Sequence, residues 1–219
     1  MLTSNTVHNE ICRRRKEVQE MFTGIVQAAV ILAVIVIFYV VDSLLIRHYD
    51  RLRAYGSSRN WGYTAIAVTA ALFLTVQPVV LPGLGVYTRE WWGLAVQIGG
   101  LVLIAGALAL YWWGRLHLGQ FYGERVEIQP GQYLITDGPY AYIRHPLYTA
   151  YFALAIGLAL INPSLPMLLV VIYAFVDFSQ ATRREEKLLV ERLPGYAEYM
   201  ARTPRYLPRL GRKTNPAAP

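Results

Sequence analysis

Five stretches of the chain run long and almost without charge, and a soluble domain of this size has no use for five. They cover 24–41, 63–81, 91–113, 146–161 and 164–178. A helix needs roughly 17–25 mostly apolar residues to cross the hydrocarbon layer of a bilayer. The first three stretches meet that length, and the third carries Trp pairs at both ends, where amphipathic rings favour the two interfaces. The last two are shorter and flank Asn162-Pro163-Ser164, which reads as the turn of a tight antiparallel hairpin. One buried helix of a soluble protein explains one such segment. Five within 219 residues predict an all-α, polytopic integral membrane protein with five transmembrane helices.

Composition fits that reading, because only 16% of the residues are charged against about 25% in an ordinary soluble domain. Disorder is excluded, and so is a disulfide scaffold, since Cys12 has no second cysteine in the chain. Arg13-Arg14-Arg15-Lys16 precede the first apolar run, as in a signal peptide, but that run is too long and lacks a small-residue cleavage site before Asp42. It is expected to stay as a span. Most of the Lys and Arg fall in the loops after spans one and three and in the tail, which places those segments in the cytoplasm. The protein is therefore expected in the cell inner or plasma membrane with any site facing the cytoplasm. The net charge of +7 reads as juxtamembrane basic residues meeting anionic lipid headgroups. Neither zinc-ligand spacing nor a nucleic-acid motif is present, so no metal and no nucleic acid are expected.

The chain divides in two. Residues 1–113 hold three spans without an ionisable group, and 114–219 hold the polar chemistry: a loop at 114–145, the span at 146–161, the span at 164–178, and an amphipathic helix and tail at 179–219. Pro146 suits a first helical position, with His145 at its cap and Arg144 beside it, so the fourth span opens on a helix N-terminus that favours an anion. Pro146 and Gln180 lie equally far in sequence from Pro163. At ~1.5 Å per residue they return to the same depth, and the helix beyond delivers Glu185 and Glu186 to the loop. One pocket is predicted there, lined by Tyr140, His145, Tyr148 and Glu185 or Glu186, and open sideways to lipid.

At these residues the chain resembles the isoprenylcysteine carboxyl methyltransferases and their phospholipid methyltransferase relatives. The resemblance rests on Leu118-Gly119-x-Phe121, Leu134-Ile135-Thr136-x-Gly138-Pro139-Tyr140, Arg144-His145-Pro146-x-Tyr148, Glu185-Glu186-x-x-Leu189, Tyr196-x-x-Tyr199 and Thr203-Pro204-Arg205-x-x-Pro208. It implies S-adenosyl-L-methionine as cofactor, with Leu134 and Ile135 contacting it through backbone and apolar surface. Tyr140, His145, Pro146 and Tyr148 would surround its polar groups, Glu185 would bind from the tail helix, and Glu186 would be a neighbour. Gln132 stands where the family has histidine, and retains hydrogen-bonding ability. Ala181 stands where the family has a substrate-facing arginine; Arg183, Arg184 and Arg144 are the candidates to orient an anionic acceptor in its place.

The resemblance implies a methyltransferase acting on an amphiphilic acceptor that enters from the bilayer, most like protein-S-isoprenylcysteine O-methyltransferase. A phospholipid N-methyltransferase is the alternative. An NADPH-dependent membrane reductase and a non-catalytic membrane scaffold are the readings from other classes. Ala95, Gly99, Gly100 and Gly106 permit close helix packing, either within one chain or between two.

Overall fold

The structure is a computed structural model that describes residues 23–50, 61–86, 91–123, 128 and 130–209. The basic clusters at 13–16, in the first loop at 51–59 and at the extreme C-terminus, which bear on orientation, lie outside the described residues, as does Cys12. Among the described residues six α-helices follow one another: α1 Gly24–Asp50, α2 Trp61–Val80, α3 Trp91–Leu118, α4 Pro146–Ile161, α5 Leu165–Arg192 and α6 Tyr196–Arg202. Single 3-10 turns occupy Pro82–Leu84, Gly119–Phe121 and Gly138–Ala141. Among the described residues, extended backbone pairs only at Gly85 and Ser164.

Among the described residues three helices are long and apolar enough to cross a membrane, at Gly24–Tyr49, Trp92–Phe121 and Leu165–Arg192; Thr64–Val80 and Pro146–Ile161 are apolar but shorter. The helices are sparsely buried, with Val102 68% exposed on α3 and Phe175 60% exposed on α5. Apolar residues facing outwards at such exposure are what a hydrocarbon solvent permits and water does not. The internal core is small: Ile31, Ile104, Leu108 and Ile161 meet where α1, α3 and α4 cross, joined by Phe38, Trp112 and Leu158.

Close approach of α3 and α4 is set by two glycines. A Cβ on Gly100 would lie 2.8 Å from the Gly157 carbonyl oxygen, and one on Gly157 would lie 2.6 Å from Ile104 Cγ1. Backbones this near gain van der Waals contact that larger residues would prevent. At the hairpin turn, Asn162 ends α4 and Ser164 caps α5, its Oγ accepting from the Met167 amide at 3.4 Å. Buried amides complete the turn. Gln27 donates to the Ile161 carbonyl at 2.7 Å, Gln97 donates to the same oxygen at 3.1 Å, and Asn162 donates to Gln77 Oε1 at 2.8 Å. Three helices, α1, α2 and α3, are thus tied to the break between α4 and α5, whose carbonyl would otherwise face hydrocarbon unpaired.

The helix that carries the first span runs on past it and brings in a charge. α1 does not stop at Val41 but continues to Asp50, and it buries Asp42 against α3, where Tyr111 Oη donates to Asp42 Oδ1 at 2.7 Å and Arg115 Nε lies 3.7 Å away. An acid at the edge of an apolar run is tolerated because hydroxyl and guanidinium partners await it.

The glycine crossing gives a direct test. Gly157→Ala is expected to lower stability by about 1–3 kcal/mol through overpacking. Gly106→Ala, where a Cβ meets nothing within 4 Å, is expected to be neutral or stabilising, and thermal unfolding in detergent compares the two.

Candidate functional site

The candidate site lies where the start of α4 meets the last third of α5. With 28 residues at ~1.5 Å each, α5 is about 42 Å long, whereas the hydrocarbon layer is ~30 Å thick. Its charged end, from about Arg184 onwards, therefore projects beyond the apolar layer. The hairpin register returns that end to the α4 N-terminus: the Tyr148 and Phe178 rings lie 5.8 Å apart, and one to two turns further on Glu186 meets His145.

Glu186 is the hub of this corner and only 5% exposed. Its Oε1 accepts from His145 Nε2 at 3.1 Å, from Arg205 Nε at 3.1 Å, and lies 2.9 Å from Arg144 Nη2. Arg205 Nη2 bonds the second oxygen, making the Arg205 contact bidentate. Burial pushes the Glu186 carboxyl up, but hydrogen bonds from His145 and Arg205, with the charges of His145 and Arg144, outweigh it and hold the carboxyl down at about 2. At neutral pH it is therefore a carboxylate that can only accept, so the His145 proton facing it sits on Nε2.

The backbone repeats the same junction. The Arg144 amide donates to the Pro204 carbonyl at 2.9 Å and the His145 amide to the Arg205 carbonyl at 3.1 Å. Thr149 Oγ1 donates to the Tyr206 carbonyl at 3.0 Å, and Arg144 Nη1 to the Met200 carbonyl at 2.5 Å. The Thr203-Pro204-Arg205 segment is thereby stitched to Arg144-His145-Pro146. The Tyr196-x-x-Tyr199 spacing has a local reason as well. Both rings are buried on α6 with Leu193, Leu134 from the loop packs on them, and Tyr199 Oη donates to the Tyr140 carbonyl at 2.7 Å.

The residues expected at the site divide by what they touch. His145 and Arg144 both bond Glu186, whereas Glu185 makes no hydrogen bond or ion pair among the described residues and is half-buried. Glu185 faces the same corner: burial first, then its negative charge, raises the Tyr140 phenol well above its usual value. Pro146 is buried at the first position of α4, and Tyr148 is half-buried with its ring 5.7 Å from that of His145. Gln132 and Ile135 are half-buried on the loop, while Arg183 and Arg184 are exposed on α5. The loop reaches the corner through Gly138, which has φ +54° and lies under the His117 ring, so a Cβ there would come within 2.3 Å of His117 Cδ2. Arg205 was not expected as a partner of the acidic pair; its place in the Thr-Pro-Arg motif, at the same loop as the Arg-His-Pro corner, was the available signal.

An apolar helical shell around a polar corner built from a loop, a helix start and a helix end defines an all-helical integral membrane protein. Residues 98–191 match the model of the isoprenylcysteine carboxyl methyltransferase (ICMT) family, so the resemblance read in the motifs is borne out over that segment. Three curated relatives agree in part. The cobalt-zinc-cadmium resistance protein CzcN of Cupriavidus metallidurans is 38% identical over 78 residues, which is 35% of this chain and 36% of that one. The nickel-cobalt-cadmium resistance protein NccN of Alcaligenes xylosoxydans xylosoxydans is 36% identical over 78 residues, covering 35% and 37%. The protein-S-isoprenylcysteine O-methyltransferase of Schizosaccharomyces pombe is 32% identical, covering 43% of this chain and 47% of that one. The chain thus spans less than half the length of the curated relatives it matches. The solved structure of the eukaryotic intramembrane Ras methyltransferase ICMT shares the fold, with a TM-score of 0.61, 23% identity, and coverage of 81% of this chain and 64% of that one.

The depressed Glu186 carboxyl makes a pH prediction with a fixed sign. Its folded value of about 2 lies below the ordinary 4.5, so the stability it contributes is fully present above the ordinary value and lost as pH falls towards the folded one. The melting temperature of the detergent-solubilised protein is expected to drop between pH 4.5 and 2, the two values that bound the shift. Glu186→Gln is expected to be less stable by about 3 kcal/mol at neutral pH, because it leaves buried cations unpaired, and to show a flatter profile across that window.

Proposed function

We propose that this chain is an S-adenosyl-L-methionine-dependent membrane methyltransferase that acts on an amphiphilic acceptor, most like protein-S-isoprenylcysteine O-methyltransferase. One observation carries the reading: the segment that matches the family model contains the half-buried Glu185, which holds no partner among the described residues while its neighbour Glu186 is fully bonded. A carboxylate left open beside an aromatic corner suits the ammonium or ribose hydroxyls of such a cofactor. The α4 N-terminus suits the methionine carboxylate, through the positive end of the helix dipole. Tyr140 and Tyr148 supply aromatic faces of the kind that attract a sulfonium, and Leu134 and Ile135 supply apolar surface from the loop.

When bound, the cofactor supplies an activated methyl group that needs no metal. This chain's residues then have three tasks: to hold the donor, to align the acceptor and to exclude water. Five apolar helices, α1 to α5, are assigned as spans, with the corner in the cytoplasm and the residues from 114 onwards as the catalytic half. An acceptor whose tail stays in the lipid would present its head group to the corner from the side. Arg183 and Arg184, exposed just outside the layer, are positioned on α5 to meet an anionic head group, near the Ala181 position that lacks an arginine. Arg144 is less suited to that task, because Glu186 and the Met200 carbonyl already hold its guanidinium.

Calorimetric titration of the detergent-purified protein tests the reading. Saturable binding of S-adenosylhomocysteine, with no heat from NADPH, is the expected result. Binding of NADPH alone would replace the methyltransferase with a reductase, and silence from both would leave a scaffold.

A further inference from the structure

Below the corner, α1 contributes a charged residue that the matched segment does not include. Asp42 meets Arg115, one turn before the end of α3, and Arg115 is 2% exposed. A guanidinium buried this deeply needs its donors satisfied and its position fixed. Besides the Tyr49 ring of α1, 5.7 Å from the guanidinium carbon, three contacts fix it. Its plane lies over the Tyr122 ring at 3.7 Å from the centroid, Nη1 donates to the Gly119 carbonyl at 3.2 Å, and Asp42 Oδ1 stands 3.7 Å from Nε. Nε itself is buried without a hydrogen-bond partner, so Asp42 acts by charge and the Tyr122 face acts as a platform. Tyr111 holds the carboxylate in turn, donating from Oη at 2.7 Å.

The placement of this cluster matters because nothing separates α3 from α4 there. Gly114, adjacent to Arg115, abuts the first turn of α4: a Cβ on it would lie 3.1 Å from Leu147 Cδ2 and 3.3 Å from Pro146 Cγ. The guanidinium also bonds the turn Gly119–Phe121, from which the chain departs towards the loop carrying Leu134 and Tyr140. Moving Arg115 therefore moves both the helix end against which Pro146 rests and the start of the loop.

We propose that Asp42 and Tyr122 are positioning residues for the cofactor corner: they hold the Arg115 guanidinium, and through it the end of α3 that sets Pro146 and the loop. The proposal rests on the methyltransferase reading and extends the functional unit to α1. Both act through Arg115 and not by contact with cofactor or acceptor.

The test is S-adenosylhomocysteine affinity and melting temperature, measured on the same full-length samples in detergent. Asp42→Asn and Tyr122→Leu are each expected to weaken affinity about tenfold, the equivalent of ~1.4 kcal/mol. Asp42→Glu restores most of it. Tyr122→Phe, which keeps the ring under the guanidinium, stays within twofold of the parent. A lowered melting temperature with parental affinity in Asp42→Asn and Tyr122→Leu would mean that the cluster only holds helices together, and would overturn the proposal. If Asp42→Asn does not fold, Tyr122→Leu decides, because Tyr122 lies outside the helices. A parent protein that binds no S-adenosylhomocysteine defeats the methyltransferase reading itself, and this extension with it.

Discussion

One buried carboxylate organises the polar end of this molecule. Glu186 receives a histidine and two arginines from two separate segments of chain, and without it the buried donors of Arg144 and His145 would sit desolvated at the start of α4. Three partners on one acid explain why its negative form survives burial that would ordinarily neutralise it. They also explain the order of the motifs. Arg144-His145 and Arg205 are distant in sequence and each is useless to the other, since both are cationic donors; the acid between them makes the junction possible. The backbone bonds from Arg144 and His145 to Pro204 and Arg205 then hold the tail segment in register.

That junction forms only because the hairpin delivers Glu186 at the right depth. The amide cluster around Ile161 and Asn162 fixes the far end of α4 and α5, and two helices of matched rise carry the register back. The glycine contact between α3 and α4 supplies close packing where lipid offers no hydrophobic drive between helices. The fold therefore places specificity in polar contacts at its two ends, and leaves the middle to apolar surfaces that lipid can cover.

Much of this was legible in the sequence, and for physical reasons. Apolar runs marked the helices because hydrocarbon tolerates no unpaired backbone, and equal counts from Pro163 placed Glu186 near His145 because helical rise is fixed. The division of labour between Glu185 and Glu186 was not legible. Adjacent residues on a helix differ by about 100° in direction, and only the tertiary positions of His145, Arg144 and Arg205 show which one is consumed. The Asp42–Arg115 cluster escaped because each residue stands at the edge of an apolar run, where a charge ordinarily marks the interface. The end of α1 ran past its apolar stretch for the same reason: polar partners, not hydropathy, decide where that helix stops.

On the proposed function, the separation between a bonded acid and an open one is what would turn a stable corner into a binding site. Its most direct test is to make Glu185→Gln and Glu186→Gln side by side and to measure S-adenosylhomocysteine affinity and melting temperature on each. Loss of affinity at unchanged melting temperature in Glu185→Gln, with a fallen melting temperature in Glu186→Gln, is the predicted pattern. Parental affinity in Glu185→Gln, or an unchanged melting temperature in Glu186→Gln, would contradict it.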